Sequence, residues 1–198
     1  VTAKKEVARG TAAAGSSLTD EQDRVLNIGA VCTLREDGMK DIVQMQYSPH
    51  GTSFRFASRL FPPDARDVVS GVYAFCRFTD DLVDHREDLP PEARGELLDA
   101  WLVLAREAWE TGRSGVGLLD AVMGDTARAG VPFRYPAELV EGVRMDLSPV
   151  EYPDAASLRV YSYRVASVVG LWLTERFGVR DGWVLERAAA MGHAMQLT

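Results

Sequence analysis

The stretch CRFTDDLVDHRED, Cys76 to Asp88, packs five acids, two arginines and a histidine into thirteen residues, directly after the apolar run VVSGVYAF, Val68 to Phe75. Either the acids form a solvated helix end, or they face inward and hold a ligand. A residue on an α-helix advances about 100°. With Tyr73 as zero, Arg77 lies at about 40°, Asp80 at about −20° and Asp84 at about 20°. One narrow stripe thus carries a tyrosine, an arginine and two carboxylates, while Val68, Val72, Phe75, Thr79 and Leu82 serve a packing face.

The solvated reading pairs Arg77 with Asp80 or Asp81 at i, i+3 or i+4. Against it, Asp80 and Asp84 repel each other at i, i+4 unless a cation offsets them. Two carboxylates one turn apart suit magnesium, which takes one or two protein carboxylates and fills its octahedron with water and phosphate oxygens. Zinc fits poorly, because His50, His85 and His193 lack ligand spacing. An adjacent arginine can fork onto phosphate. The implied ligand is a di- or triphosphate; with no Gly-rich phosphate loop, a nucleotide is not the natural candidate.

Outward from this stretch the pattern is helical throughout. A helix is expected from about Asp64 to Arg86, preceded by a short one in TSFRFASRLF with Phe54, Ala57 and Phe61 on one side. A third opens at PPE (Pro90 to Glu92) with Leu97, Trp101, Leu104 and Ala108 spacing, and a fourth runs around Leu118 to Ala129. YPAELVEGVRMDL, closed by Pro149, gives a fifth. PDAASLRVYSYRVASVVGLWLTERFG reads as one long sixth helix stopped by Gly178, and a seventh begins near Asp181. No period-two alternation is sustained. The fold class is all-α, a bundle of long helices. Residues 1–17 read as a mobile tail and 18–198 as a single domain. Thr19 and Gln22 have capping-box spacing, and REDGMK (Arg35 to Lys40) reads as a turn. VLERAAAMGHAMQLT is still in helical rhythm at Thr198, so the bundle is expected to continue beyond it.

The 198 residues are 46% hydrophobic and carry a net charge of −7, which argues against a nucleic-acid surface. The two cysteines, Cys32 and Cys76, are too few for a disulfide framework and read as reduced thiols of a cytoplasmic protein. No stretch approaches the roughly 20 apolar residues of a membrane span.

Three segments resemble the squalene and phytoene synthases, the head-to-head branch of the trans-isoprenyl diphosphate synthases. They are GTSFRFASRLFPPDARDVVSGVYAFCRFTDDLVD, GVRMDL and YSYRVASVVGL; with MGHAMQLT the resemblance covers His50 to Thr198. It implies an isoprenoid-synthase-type bundle around a central apolar cavity. It also implies magnesium-assisted loss of diphosphate and joining of two prenyl chains through a cyclopropyl intermediate. On that resemblance Asp80 and Asp84 hold magnesium, with manganese as a substitute, and Arg77 and Ser53 meet phosphate oxygens beside Tyr73. Tyr161 stands by the reacting carbons. Phe54, Val165, Ala166, Val169 and Gly170 line the prenyl channel, and Gln196 precedes the position of a second aspartate motif.

The bland alternatives stand beside these. Phe54 and Val169 also fit a core, Ala166 and Gly170 a close helix crossing, Tyr161 a core edge and Ser53 a helix cap. The three histidines read as surface or satisfied groups, and Asp146 as structural. The family continues past QLT with a second aspartate motif that this sequence does not reach. The expectations therefore divide between a synthase, with the remaining helices cut away or on a second chain, and a non-catalytic prenyl-binding or assembly relative. A plain helical bundle is the third. Within the synthase reading, two geranylgeranyl diphosphates giving phytoene are favoured. Farnesyl diphosphate giving squalene, hydroxysqualene or diapophytoene is the alternative, and only a squalene route needs NADPH. A water-insoluble product implies loose contact with a membrane surface.

Overall fold

Two Pro-Pro pairs set the frame. Pro62-Pro63 and Pro90-Pro91 each place a proline in a first helical turn, where the missing N–H has no partner to lose. They open α1, Pro63–Asp84, and α2, Pro91–Thr111. The computed structural model describes residues 60–86, 88–148 and 152–198. All lie in the larger of two units, Cys32–Thr198. Expectations on the tail, the capping box, the REDGMK turn, Cys32, His50 and most of the TSFRFASRLF helix fall outside the described residues.

α3 spans Gly117–Arg128 and α4 spans Arg134–Arg144, running on into a tight turn at Met145–Leu147. Asp154 caps α5, Ala155–Ser162, by accepting the Ser157 N–H at 2.8 Å. α6 is Val168–Arg176, and Gly178 closes it at φ +83°, where an L side chain would be strained. Asp181 then caps α7, Gly182–Gln196, through the Trp183 N–H at 2.9 Å. No strand occurs among the described residues, and none of their helices is long and apolar enough to cross a membrane.

One expectation is corrected outright. The sixth helix is not continuous: a π turn at Tyr163–Ser167 separates α5 from α6. Apolar periodicity cannot reveal such a turn, because it absorbs one extra residue inside an otherwise helical pattern. Three positions of the two stripes also shift by one, while Val72, Phe75, Thr79 and Leu82 are buried as expected. Val69, rather than Val68, is buried on α1, and on α2 Leu98 and Ala105 replace Leu97 and Leu104 beside Trp101 and Ala108.

The core is aromatic, and its two buried indoles are hydrogen-bonded. Phe75 stacks on Trp101 at 5.7 Å and meets Trp172 edge-on at 5.6 Å. Each indole N–H needs an acceptor once buried. Trp101 finds Thr79 Oγ1 at 3.0 Å, and Trp172 finds Thr126 Oγ1 at 3.0 Å. Both threonine hydroxyls donate onward to a carbonyl of their own helix, Phe75 and Val122, at 2.7 Å. This clamps α1 to α2 and α3 to α6. The buried Glu175 is held by the Tyr135 hydroxyl and by Arg134 at 3.6 Å, which fixes α4 against α6.

Candidate active site

The stripe predicted on α1 is real and lies at the edge of the core. Tyr73, Arg77 and Asp80 are half-buried and Asp84 is exposed, while Phe75, Thr79 and Leu82 point into the bundle. Burial pushes the Asp80 carboxyl up to about 6; the charge of Asp84 adds to this, Arg77 opposes it, and Asp81 and Asp146 raise it further. Asp80 is therefore a carboxylate short of positive charge. The same burial, helped by Asp80, pushes the Cys76 thiol up and keeps it neutral and unreactive.

Asp146 comes from the turn after α4, a different part of the chain. Burial raises its carboxyl and Asp84 adds to the rise, against the hydrogen bond it accepts from the Tyr161 hydroxyl at 3.2 Å. Tyr161, on α5, has its own hydroxyl pushed up by burial and then by Asp146, with Tyr152 and Asp80 contributing. The Tyr152 ring lies 5.2 Å from that of Tyr161. Three carboxylates and a tyrosine from α1, the α4 end and α5 thus act on one another in a single neighbourhood. Reading Asp146 as merely structural missed this. A signal was available: an acid at a helix C-terminus opposes the helix dipole, so its presence there calls for a reason.

Of the two ion-pair partners the sequence offered, Arg77 takes Asp81. Its Nη2 meets Asp81 Oδ1 at 2.6 Å, and His85 Nδ1 meets the same oxygen at 2.8 Å. His85 is satisfied as expected. His193 is not: its Nδ1 is buried without a hydrogen-bond partner. Val165, Ala166, Val169 and Gly170 are half-buried along the π turn and α6, and Gln196 is exposed at the end of α7. A Cβ on Gly170 would stand 2.9 Å from the Ala188 carbonyl oxygen, so glycine there permits the α6–α7 crossing. Ser53 and Phe54 lie outside the described residues.

Do these groups suit magnesium? Among the described residues no three acid, histidine or cysteine side chains form a ready cage. A pair of carboxylates with incompletely offset charge, next to a third, is nevertheless the donor set of a cation that keeps several water or phosphate ligands. Asp80 and Asp84 fit it, and the charge of Asp146 also acts on Asp80.

A squalene/phytoene synthase family model matches residues 48–198. A 15-cis-phytoene synthase from Paracoccus sp. is 35% identical over 153 residues, covering 74% of this chain and 49% of that protein. A presqualene diphosphate synthase from Zymomonas mobilis is 34% identical over 150 residues, covering 74% and 50%. The crystal structure of squalene synthase HpnC from Alicyclobacillus acidocaldarius superposes with a TM-score of 0.68 at 25% identity, over 88% of this chain and 60% of that one. The chain spans about half the length of the curated relatives it matches.

Proposed function

This chain belongs to the squalene/phytoene synthase family and has its all-helical isoprenoid-synthase fold, and from that premise we propose that the protein joins two allylic prenyl diphosphates head to head. The observation that carries the reading is the meeting of Asp80, Asp84 and Asp146 with Tyr161 at one end of α1.

Magnesium, when bound, supplies positive charge to the departing diphosphate. Asp80 and Asp84 would hold it. Arg77 stands one turn before Asp80 and can exchange Asp81 for a phosphate oxygen. Tyr161 stays protonated well above neutral pH and so acts as a hydrogen-bond donor, oriented by Asp146, rather than as a base. Val165, Ala166 and Val169, one turn and more along the same helical run, are the wall we assign to the prenyl chains. Apolar and aromatic groups there keep water from the allylic cation that diphosphate leaves behind.

Geranylgeranyl diphosphate, giving phytoene, is the substrate we propose, supported by the Paracoccus relative. Farnesyl diphosphate is the second reading, favoured by the Zymomonas relative at nearly equal identity; NADPH enters only if that route ends in squalene. A cytoplasmic protein delivering either product would work against a membrane surface. The test is incubation with each diphosphate and Mg2+, followed by mass analysis of both the extracted lipids and the diphosphate products. Phytoene from geranylgeranyl diphosphate is expected, and absence of any head-to-head product from both substrates contradicts the proposal.

A further inference from the structure

The π turn at Tyr163–Ser167 begins two residues after Tyr161 and is gripped from both sides by glycines. On α4, a Cβ at Gly142 would stand 2.8 Å from Arg164 Cβ and 2.9 Å from Val165 Cγ1. On α7, a Cβ at Gly192 would stand 2.6 Å from Ser167 Cα and 2.7 Å from the Ala166 carbonyl oxygen. Such an approach is open only to glycine. Two polar tethers act with them: Ser167 Oγ donates to the Ala189 carbonyl at 2.7 Å, and Arg164 Nε donates to Glu138 at 3.1 Å.

The turn decides where Tyr161 points. In an uninterrupted helix Tyr161 would lie within about 20° of both Val168 and Trp172. Those two are fully buried, and Tyr161 would follow them into the core. A π turn holds one residue more than an α turn, so α5 is rotated by about 100° relative to α6. That rotation turns the hydroxyl to Asp146 instead.

We propose that Gly142 and Gly192 are positioning residues for Tyr161: by gripping the π turn between α4 and α7 they aim its hydroxyl at Asp146. The consequence for turnover rests on the prenyl-transfer reading; the geometric claim does not. With Gly192→Ala, α7 and the π turn must part by about 0.8 Å to reach the 3.4 Å of ordinary contact. A misplacement of this size at a reacting group costs about 10- to 100-fold in rate.

The test uses the full chain labelled with fluorotyrosine, which gives six resonances for its six tyrosines, that of Tyr161 being assigned by Tyr161→Phe. The Tyr161 resonance is expected to move in Gly192→Ala and Gly142→Ala and to stay in Gly182→Ala, a control on α7 whose added Cβ meets nothing within 4 Å. An unmoved resonance in the folded glycine variants overturns the proposal. Should Gly192→Ala not fold, Gly142→Ala carries the same readout; should neither fold, Ser167→Ala loosens the turn without adding bulk. In a preparation that turns over, kcat is expected to fall about 10- to 100-fold with KM changed less than about 3-fold. The fall must also shrink in the Tyr161→Phe background; a fall of equal size there overturns the proposal. A preparation that makes no product speaks against the reaction assigned above and leaves the resonance test to decide this one.

Discussion

The Tyr161 hydroxyl donates to Asp146 Oδ2 at 3.2 Å, joining two elements fifteen residues apart in the chain. The same Asp146 raises the Asp80 carboxyl on α1. That relationship makes one site of three separate segments, whose groups are shifted first by burial and then by one another. Burial, reinforced by Asp146, keeps Tyr161 protonated, and burial with the neighbouring Asp84 leaves Asp80 in want of a cation.

Asp80 is the first test of that electrostatic account. Its carboxyl sits at about 6, against about 3.9 in an unfolded chain. The stability contributed by protonated Asp80 is complete below about pH 4 and is lost as pH rises through about 6. Asp80→Asn should therefore stabilise the metal-free protein by on the order of 2 kcal/mol at pH 7.5 and by much less at pH 4.5. Thermal melts at the two pH values check this; a variant that melts lower than its parent at pH 7.5 contradicts it.

Tyr161 and Asp146 should lose their effects together. Tyr161→Phe should cost about 0.5–1.5 kcal/mol of stability, and less when Asp146 is already Asn. Denaturant unfolding of the two single variants and the double variant measures the coupling, and strict additivity would show that the hydrogen bond contributes nothing.

The two tryptophan clamps are predicted to be the most sensitive polar contacts of the core. Thr126→Val leaves the buried Trp172 N–H without its acceptor at 3.0 Å, and Thr79→Val does the same to Trp101. Each should cost about 1–3 kcal/mol while leaving the helix content unchanged. Equilibrium unfolding with circular dichroism reads both quantities.

Much of this was legible in the chain because its signals are local. The α1 stripe follows from 100° spacing alone, and Pro63, Pro91, Gly178 and Asp181 mark helix ends by their own backbone chemistry. What escaped was set by tertiary contact. The π turn lies where Gly142 and Gly192 admit close neighbours from helices distant in sequence. Asp146 joins the site only once the end of α4 lies beside α1. Arg77 pairs with Asp81 rather than Asp80, at an oxygen that His85 also meets, and no spacing rule distinguishes the two.

That choice makes a further prediction. Asp81 competes with phosphate for Arg77, so Asp81→Asn should tighten Mg2+-diphosphate binding, whereas Arg77→Gln should weaken it. Opposite signs in a binding titration are expected; weakening by both would place Asp81 among the ligand-holding groups.

The most direct measurement is a calorimetric titration of inorganic pyrophosphate into the chain with and without Mg2+, repeated on the Asp80→Asn, Asp84→Asn double variant. The account predicts binding that requires Mg2+ and disappears in the double variant while its fold persists. Equal binding by parent and variant, or binding indifferent to Mg2+, would mean that the α1 carboxylates do not hold a metal-diphosphate.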